Sequence, residues 1–155
     1  MAMAISQAIC NVFKTDVLKG VHNFTASTGN TYNIALFTSS ATLGASTTQY
    51  TAPADGSADP TSTHEVTSTG TNYSTGGQAL TNVTPALDGS TAQCDFDDEV
   101  FSNVTLTARG ALIYKDTSNE AVMVLDFGGD KTATTGDFTI QFPDPATATA
   151  IIEIA

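Results

Sequence analysis

The sequence predicts a mainly β fold, either an antiparallel β-sandwich or a jelly-roll-like domain, with one N-terminal helix. Threonine recurs along the whole chain, and β-branched residues suit the pleated, half-exposed surface of a sheet. Short alternating segments are separated by Gly, Asn, Asp and Pro at intervals of roughly 8–12 residues, as in sandwiches and barrels. Hydrophobic residues make up 41% and charged residues 14% of the chain. That low charge density is typical of a folded chain and not of a disordered one.

The helix is predicted within residues 1–20. Apolar residues recur about every three to four positions between Met3 and Lys19. Gly20 follows as a residue that commonly ends helices. After Gly20 the pattern becomes alternation, so we expect the β core to lie in residues 21–50 and 76–155 of a single domain spanning 1–155.

The candidate strands are short segments rich in β-branched and aromatic residues. They are 32–38, 92–96, 104–108, 111–115, 121–127, 138–142 and 150–154. Segments 111–114 and 121–125 are continuously apolar, so we predict that they are buried on both faces near the centre of a sheet. The turn-forming residues 116–119 between them predict a hairpin.

Residues 51–75 are mostly Ala, Asp, Pro, Gly, Ser and Thr. Such a segment, with few apolar anchors, predicts a surface loop or an arm.

Charge excludes two classes of partner. Sixteen acidic residues against five basic ones give a net charge of −11. This charge repels nucleic-acid phosphates and anionic lipids, so we expect neither nucleic acid nor membrane as a partner. The spacing of Cys10 and Cys94 indicates neither a disulfide framework nor a zinc site, and both are expected to be buried small apolar residues.

Histidine, the commonest general base near neutral pH, occurs only twice. His22, just after the predicted helix, is expected to hydrogen-bond or cap backbone, and His64, in the predicted arm, is expected to be solvated. No G-x-S-x-G motif supports a serine hydrolase. We therefore predict that the protein is not an enzyme and has no catalytic, cofactor-binding or metal-binding residues.

One acidic cluster and one arginine stand out. Asp95, Asp97, Asp98 and Glu99 concentrate oxygen ligands, but their spacing is not that of an EF-hand. We interpret them as a solvated strand end or a patch for a basic partner, with a bound cation as the open alternative. Arg109 is expected to pair with a carboxylate at a corner between strands or across a subunit interface.

A whole-segment pattern runs through residues 18–24, 34–44, 70–77, 101–114 and 124–131. Together these segments resemble a family of small virion structural proteins from tailed bacteriophages, especially those of marine bacteria. The resemblance covers most of the chain outside the two ends and the arm. The chain differs from the family at Phe101, where the family often has Trp, and at 52–63, which looks like extra length.

The resemblance implies a structural role in the virion, for a protein made in the cytoplasm of the bacterial host. The first hypothesis is a capsid decoration, or cement, protein that binds the exterior of the shell. Its partners would be the major capsid protein or other virion proteins, and it would form a homo-oligomer, with a trimer favoured. The alternative is a head or tail fibre, knob or adaptor module that contacts a host glycan or other tail proteins. Tyr50 and Tyr73 are the candidate stacking residues for a glycan.

Overall fold

The computed structural model describes residues 4–51, 64–144 and 149–155, which form one short helix and eight strands. The helix, α1, spans Asn11–Leu18. The strands are β1 Ala8–Ile9, β2 Tyr32–Phe37, β3 Gln78–Ala79, β4 Asn82–Asp88, β5 Thr91–Phe96, β6 Glu99–Lys115, β7 Ala121–Ile140 and β8 Ile152–Ile154.

The strands form two antiparallel sheets. The larger sheet has the order β1-β7-β6-β2-β3, and the smaller sheet has the order β4-β5-β8. The two sheets meet at an aromatic contact, where the ring of Phe96 on β5 lies 5.8 Å from that of Tyr32 on β2. The predicted mainly β fold with an N-terminal helix is confirmed, and the two sheets are arranged as in a β-sandwich.

A long hairpin of β6 and β7 dominates the larger sheet. Segments 104–108 and 111–115, predicted as separate strands, are joined in β6, and most of 138–142 continues the strand that begins at Ala121. Gly110 lies inside β6, at a position where a Cβ would come 2.4 Å from the carbonyl oxygen of Leu125. The glycine is therefore required by the close approach of two strands and does not mark a turn.

The centre of the hairpin is buried as predicted. Leu112, Ile113, Val122 and Val124 are almost completely inaccessible to solvent. The backbone amide of Asn119 donates to the carbonyl of Lys115, which closes the predicted turn. These strands form the core on which the other elements pack.

The N-terminal helix is shorter than predicted. Residues 4–10 are extended: the amide of Ser6 donates to the carbonyl of Leu43, and the amide of Cys10 donates to that of Val122. Between these two bonds, β1 pairs with β7. Backbone pairing with the sheet therefore outweighs the helical spacing of the apolar residues in this segment.

The predicted arm is also corrected in part. Residues 52–63 lie outside the described residues. Residues 64–75 are irregular in structure, but Glu65, Val66 and Tyr73 are buried. Glu65 forms a bridge with Phe37, and the amide of Val66 donates to the carbonyl of Leu36 at 2.9 Å. This half of the segment extends the core instead of projecting into solvent.

Strands β1, β3 and β4 were not predicted. The first and second have two residues each, and β4 contains Pro85 and is exposed over most of its length. Within the described ranges, no helix has the length and apolar character needed to cross a membrane.

Replacement of Gly77 tests the contact between β2 and the segment before β3. Gly77 has φ +77°, and an added Cβ would lie 1.7 Å from the carbonyl oxygen of Ile34. We expect Gly77→Ala to lower the free energy of unfolding by more than about 4 kcal/mol or to prevent folding. Urea unfolding followed by circular dichroism measures the change.

Gly70→Ala is the matched control, because Gly70 has φ +72° but faces open space. It should cost only about 1 kcal/mol, the strain of a left-handed residue. Equal losses for the two variants would contradict the steric explanation.

Candidate interaction surface

A buried glutamate organises the chain beside the ends of β2 and β6. Glu65 is 0% exposed. Its carboxylate accepts hydrogen bonds from the hydroxyl of Tyr50 at 2.9 Å, the hydroxyl of Tyr73 at 2.7 Å and the amide of Gly76 at 2.7 Å. Burial raises the pKa of Glu65, while these three donors act in the opposite direction. The donors satisfy a polar group that would otherwise be costly to bury.

The same network fixes two tyrosines that the glycan hypothesis required at the surface. Tyr50 stacks on Tyr114 with 4.3 Å between ring centroids, and Tyr73 accepts a hydrogen bond from the amide of Leu36. Both rings are buried. The expectation that Tyr50 and Tyr73 offer exposed stacking surfaces is therefore wrong, because both hydroxyls are needed inside to satisfy Glu65.

Arg109 pairs within the chain. Its guanidinium forms a salt bridge with Asp126 on the adjacent strand, and both side chains are about a quarter exposed. The carboxylate of Asp126 also accepts from the amide of Gly128. The predicted pairing with a carboxylate between strands is confirmed, and it holds β6 against an irregular part of β7.

The two histidines lie in different surroundings. His22 Nδ1 lies 3.3 Å from the hydroxyl of Tyr32, and its ring contacts Phe13 and Phe24. Burial is the main cause of the lowered pKa of His22. His64 is half-buried, not solvated as expected, and its carbonyl accepts from the amide of Thr38. Both are built into the packing around β2.

The cysteines are protonated at neutral pH. Cys10 is completely buried, as predicted, and Cys94 is half-buried. Burial raises the pKa of the Cys10 thiol to about 11 and that of Cys94 to about 12.

The acidic cluster divides into buried and exposed members. Asp95 is 1% exposed, so its interpretation as solvated is wrong, whereas Asp97 and Asp98 are exposed. Asp95 Oδ1 accepts from the amide of Phe96, and its Oδ2 has no hydrogen-bond partner among the described residues. Burial, followed by the nearby carboxylates, raises the pKa of Asp95. In the part of the chain that the structure describes, no three or more His, Cys, Asp or Glu side chains are grouped to hold a metal ion.

The smaller sheet is acidic throughout. Strands β4, β5 and β8 contain no Lys or Arg, whereas Asp88, Asp95 and Glu153 lie on them and Asp97 and Asp98 follow β5. The basic residues of the chain are on or next to α1 and on the long hairpin, at Lys14, Lys19, Arg109, Lys115 and Lys131. The protein therefore carries its negative charge unevenly, with one sheet free of bases.

The smaller sheet also exposes an apolar row. Leu87 pairs with Ala92, and Ala92 pairs with Ile154, so the three side chains are neighbours on one face. Leu87 is 72% and Ile154 59% exposed. Phe96, four residues beyond Ala92, is on the same face and packs in the core. The apolar face of this sheet thus continues past the core into solvent, and we call Leu87, Ala92 and Ile154 the outer row.

The outer row could not be found from the sequence. In the sequence, Leu87 is isolated among polar and small residues. It lies opposite Ala92 only because of the register of the β4–β5 hairpin, which shifts at a bulge between Val83 and Ala86. Ile154 comes from a strand far away in the chain. Only the alternation in 150–154 was visible as a signal.

No family model, curated protein or solved structure matches the chain. The resemblance to phage virion proteins therefore stays a prediction, and function is argued from the surface itself.

Removal of the Glu65 carboxylate tests the buried network. Glu65→Ala leaves two tyrosine hydroxyls and one amide without their acceptor, so we expect the free energy of unfolding to fall by about 3 kcal/mol or more. Urea unfolding measures the loss. Glu65→Gln, which keeps the shape and one acceptor oxygen, should lose clearly less. If both variants matched the wild type, the network would not stabilise the fold.

Asp95→Asn tests the buried carboxyl of β5. A carboxyl whose pKa is raised in the folded state contributes stability that is full below its ordinary pKa and is lost as pH rises through the raised value. We therefore expect wild-type stability to fall more steeply than that of Asp95→Asn as pH rises above the ordinary carboxyl range. Urea unfolding across a pH series measures the difference.

The matched control for this series is Asp130→Asn, which neutralises an exposed carboxylate on β7 that is not among those acting on Asp95. Because Asp95 is unchanged in this variant, the steep fall of the wild type should remain. Parallel profiles for the wild type and Asp95→Asn would show that Asp95 does not bind a proton more tightly on folding.

Proposed function

We propose that this protein is a structural component of a bacteriophage virion and that it decorates the capsid by binding the exterior of the shell. The observation that carries the proposal is the smaller sheet, which combines an exposed apolar row with negative charge and no base. Exposed contiguous apolar residues with a polar rim are typical of protein interaction sites.

The charge supports a basic protein partner. Acidic side chains attract Lys- and Arg-rich surfaces and speed their encounter. A net charge of −11 also keeps free subunits soluble before they assemble. The major capsid protein is the proposed partner, through a basic patch on the outside of the shell.

The interior chemistry supports a structural role. Glu65, the most deeply buried acid, is engaged by three hydrogen-bond donors and is shielded from solvent. With Tyr50 and Tyr73 buried, the fibre alternative loses its proposed glycan contacts. The decoration hypothesis needs no such contacts, since it requires a stable domain with an exposed apolar row on a sheet that carries acidic residues and no base.

Imaging of purified virions of the phage that encodes the protein tests the proposal. A decoration protein should appear in hundreds of copies over the shell, and its density should place the smaller sheet against the capsid. Location at a single vertex would favour a fibre or adaptor. Absence from the virion would overturn both.

A charge variant sharpens the test. Asp97→Lys reverses an exposed charge next to the smaller sheet and should weaken binding to shells that lack the protein, most strongly at low salt. Asp130→Lys is the matched control, because Asp130 is exposed on β7, outside the smaller sheet. Equal binding by the two variants would contradict docking through the acidic sheet.

A further inference from the structure

We infer that copies of this chain associate head to tail, with the tip of the β4–β5 hairpin of one copy inserted into a groove beside β7 of the next. The tip is residues 84–90. The inference rests on the proposed function insofar as it treats the smaller sheet as a contact surface. It assigns Leu87, at the tip, to a second copy and leaves Ile154 and the acidic residues of the sheet outside the tip for the shell.

The tip projects from the molecule. Every residue from 84 to 90 is exposed, including Leu87, which is among the most exposed large apolar residues described. Gly89 in the turn has φ +58° and faces open space. The tip is therefore a convex surface with an apolar residue near its end. Because a two-stranded hairpin gains little stability alone, packing of this residue in a cavity would stabilise it.

The groove is concave and mainly aromatic and aliphatic at its base. It has a volume of about 610 Å³, within the range of about 300–1,000 Å³ that is common for binding sites. Phe127 and Phe138 line it with 5.8 Å between their ring centroids, and Ile140 and Phe142 continue the surface. It has room for a branched apolar side chain such as that of Leu87.

The groove exists because β7 is irregular. Gly110 and Ala108 of β6 pair with Asp126 and Lys131 of β7, so β7 has extra residues between its two paired positions. This bulge bends the strand. Phe127, inside the bulge, then contacts Phe138, which lies after it.

Among the described residues, the outer edge of β7 beside the groove is unpaired from Leu125 onward. On that side, β1 pairs with Met123 and Val124, and no described strand pairs with Leu125–Ile140. Long open edges invite association with another chain unless they are covered. An inserted hairpin would cover this one.

One possible pair of opposite charges supports a second copy as the occupant. Lys131 lines the groove and forms no ion pair among the described residues. Asp126, also in the lining, is paired with Arg109, and Asp137 accepts a hydrogen bond from the amide of Asn103. The tip carries Asp88 next to Leu87 and no base. Asp88 of an inserted tip would therefore have Lys131 as its basic partner.

The different shapes of the tip and the groove also determine the type of contact between copies. A convex tip and a concave groove are different surfaces, so each copy offers one of each and the contact is heterologous. Heterologous contacts form a ring where the rotation between copies closes, and an open chain where it does not. A ring would agree with the expected homo-oligomer, for which a trimer is favoured.

The test uses two variants that change exposed side chains and so leave the fold intact. Leu87→Asp destroys the tip, and Thr139→Arg fills the groove, since Thr139 is exposed and lines it. We expect the wild type to associate with rising concentration in sedimentation velocity experiments, and each variant to lose association. A mixture of the two variants should form a dimer and nothing larger, because one intact tip and one intact groove remain.

Matched controls separate the contact from general effects. Leu18→Asp places the same charge at the 89% exposed Leu18 on the helix, and Thr134→Arg alters an exposed threonine of β7 outside the groove. Both should associate like the wild type. A monomeric wild type, unchanged association in Leu87→Asp or Thr139→Arg, or a mixture that stays monomeric would each overturn the inference.

The two proposals fail separately. Hundreds of copies on the virion together with a failed mixing experiment would leave the decoration function standing without this contact. A dimer in the mixture together with absence from the virion would leave the contact standing without that function.

Discussion

The antiparallel pairing of β6 and β7 is the constraint on which the rest of the structure depends. Both flanks of the larger sheet are built on this hairpin: β2 pairs with β6, and β1 pairs with β7. Its central residues are among the most deeply buried of those described, and its bulges bend β7 around the groove. The same two strands therefore contribute both the buried centre of the larger sheet and the groove beside β7.

Two buried carboxyls show how differently the fold treats similar groups. Glu65 is surrounded by donors, so its burial ties an irregular segment to β2 and the tyrosines around it. Asp95 has one oxygen with no partner among the described residues, on a sheet that has no basic residue. The network around Glu65 stabilises the fold, whereas Asp95 destabilises it, because a carboxyl is buried there with one oxygen unpaired.

Much of the fold was predictable where local pattern and tertiary structure agree. The continuous apolar segments 111–114 and 121–125 predicted the central hairpin, since a strand that is buried on both faces has apolar residues at successive positions. The N-terminal helix was predicted too long because residues 4–10 satisfy their backbone by pairing with other segments, which spacing cannot reveal. The tyrosines were misplaced for a related reason: the position of their acceptor, Glu65, is a tertiary fact.

The sequence by itself determined the class of fold, the excess of negative charge and the presence of only two histidines, because composition and periodicity are properties of the chain. Tertiary structure alone decided that Leu87, Ala92 and Ile154 form a row, that Asp95 is buried while Asp97 is exposed, and that bent β7 encloses a groove. These depend on strand register and bulges. A register joins residues far apart in sequence, and no local pattern specifies it.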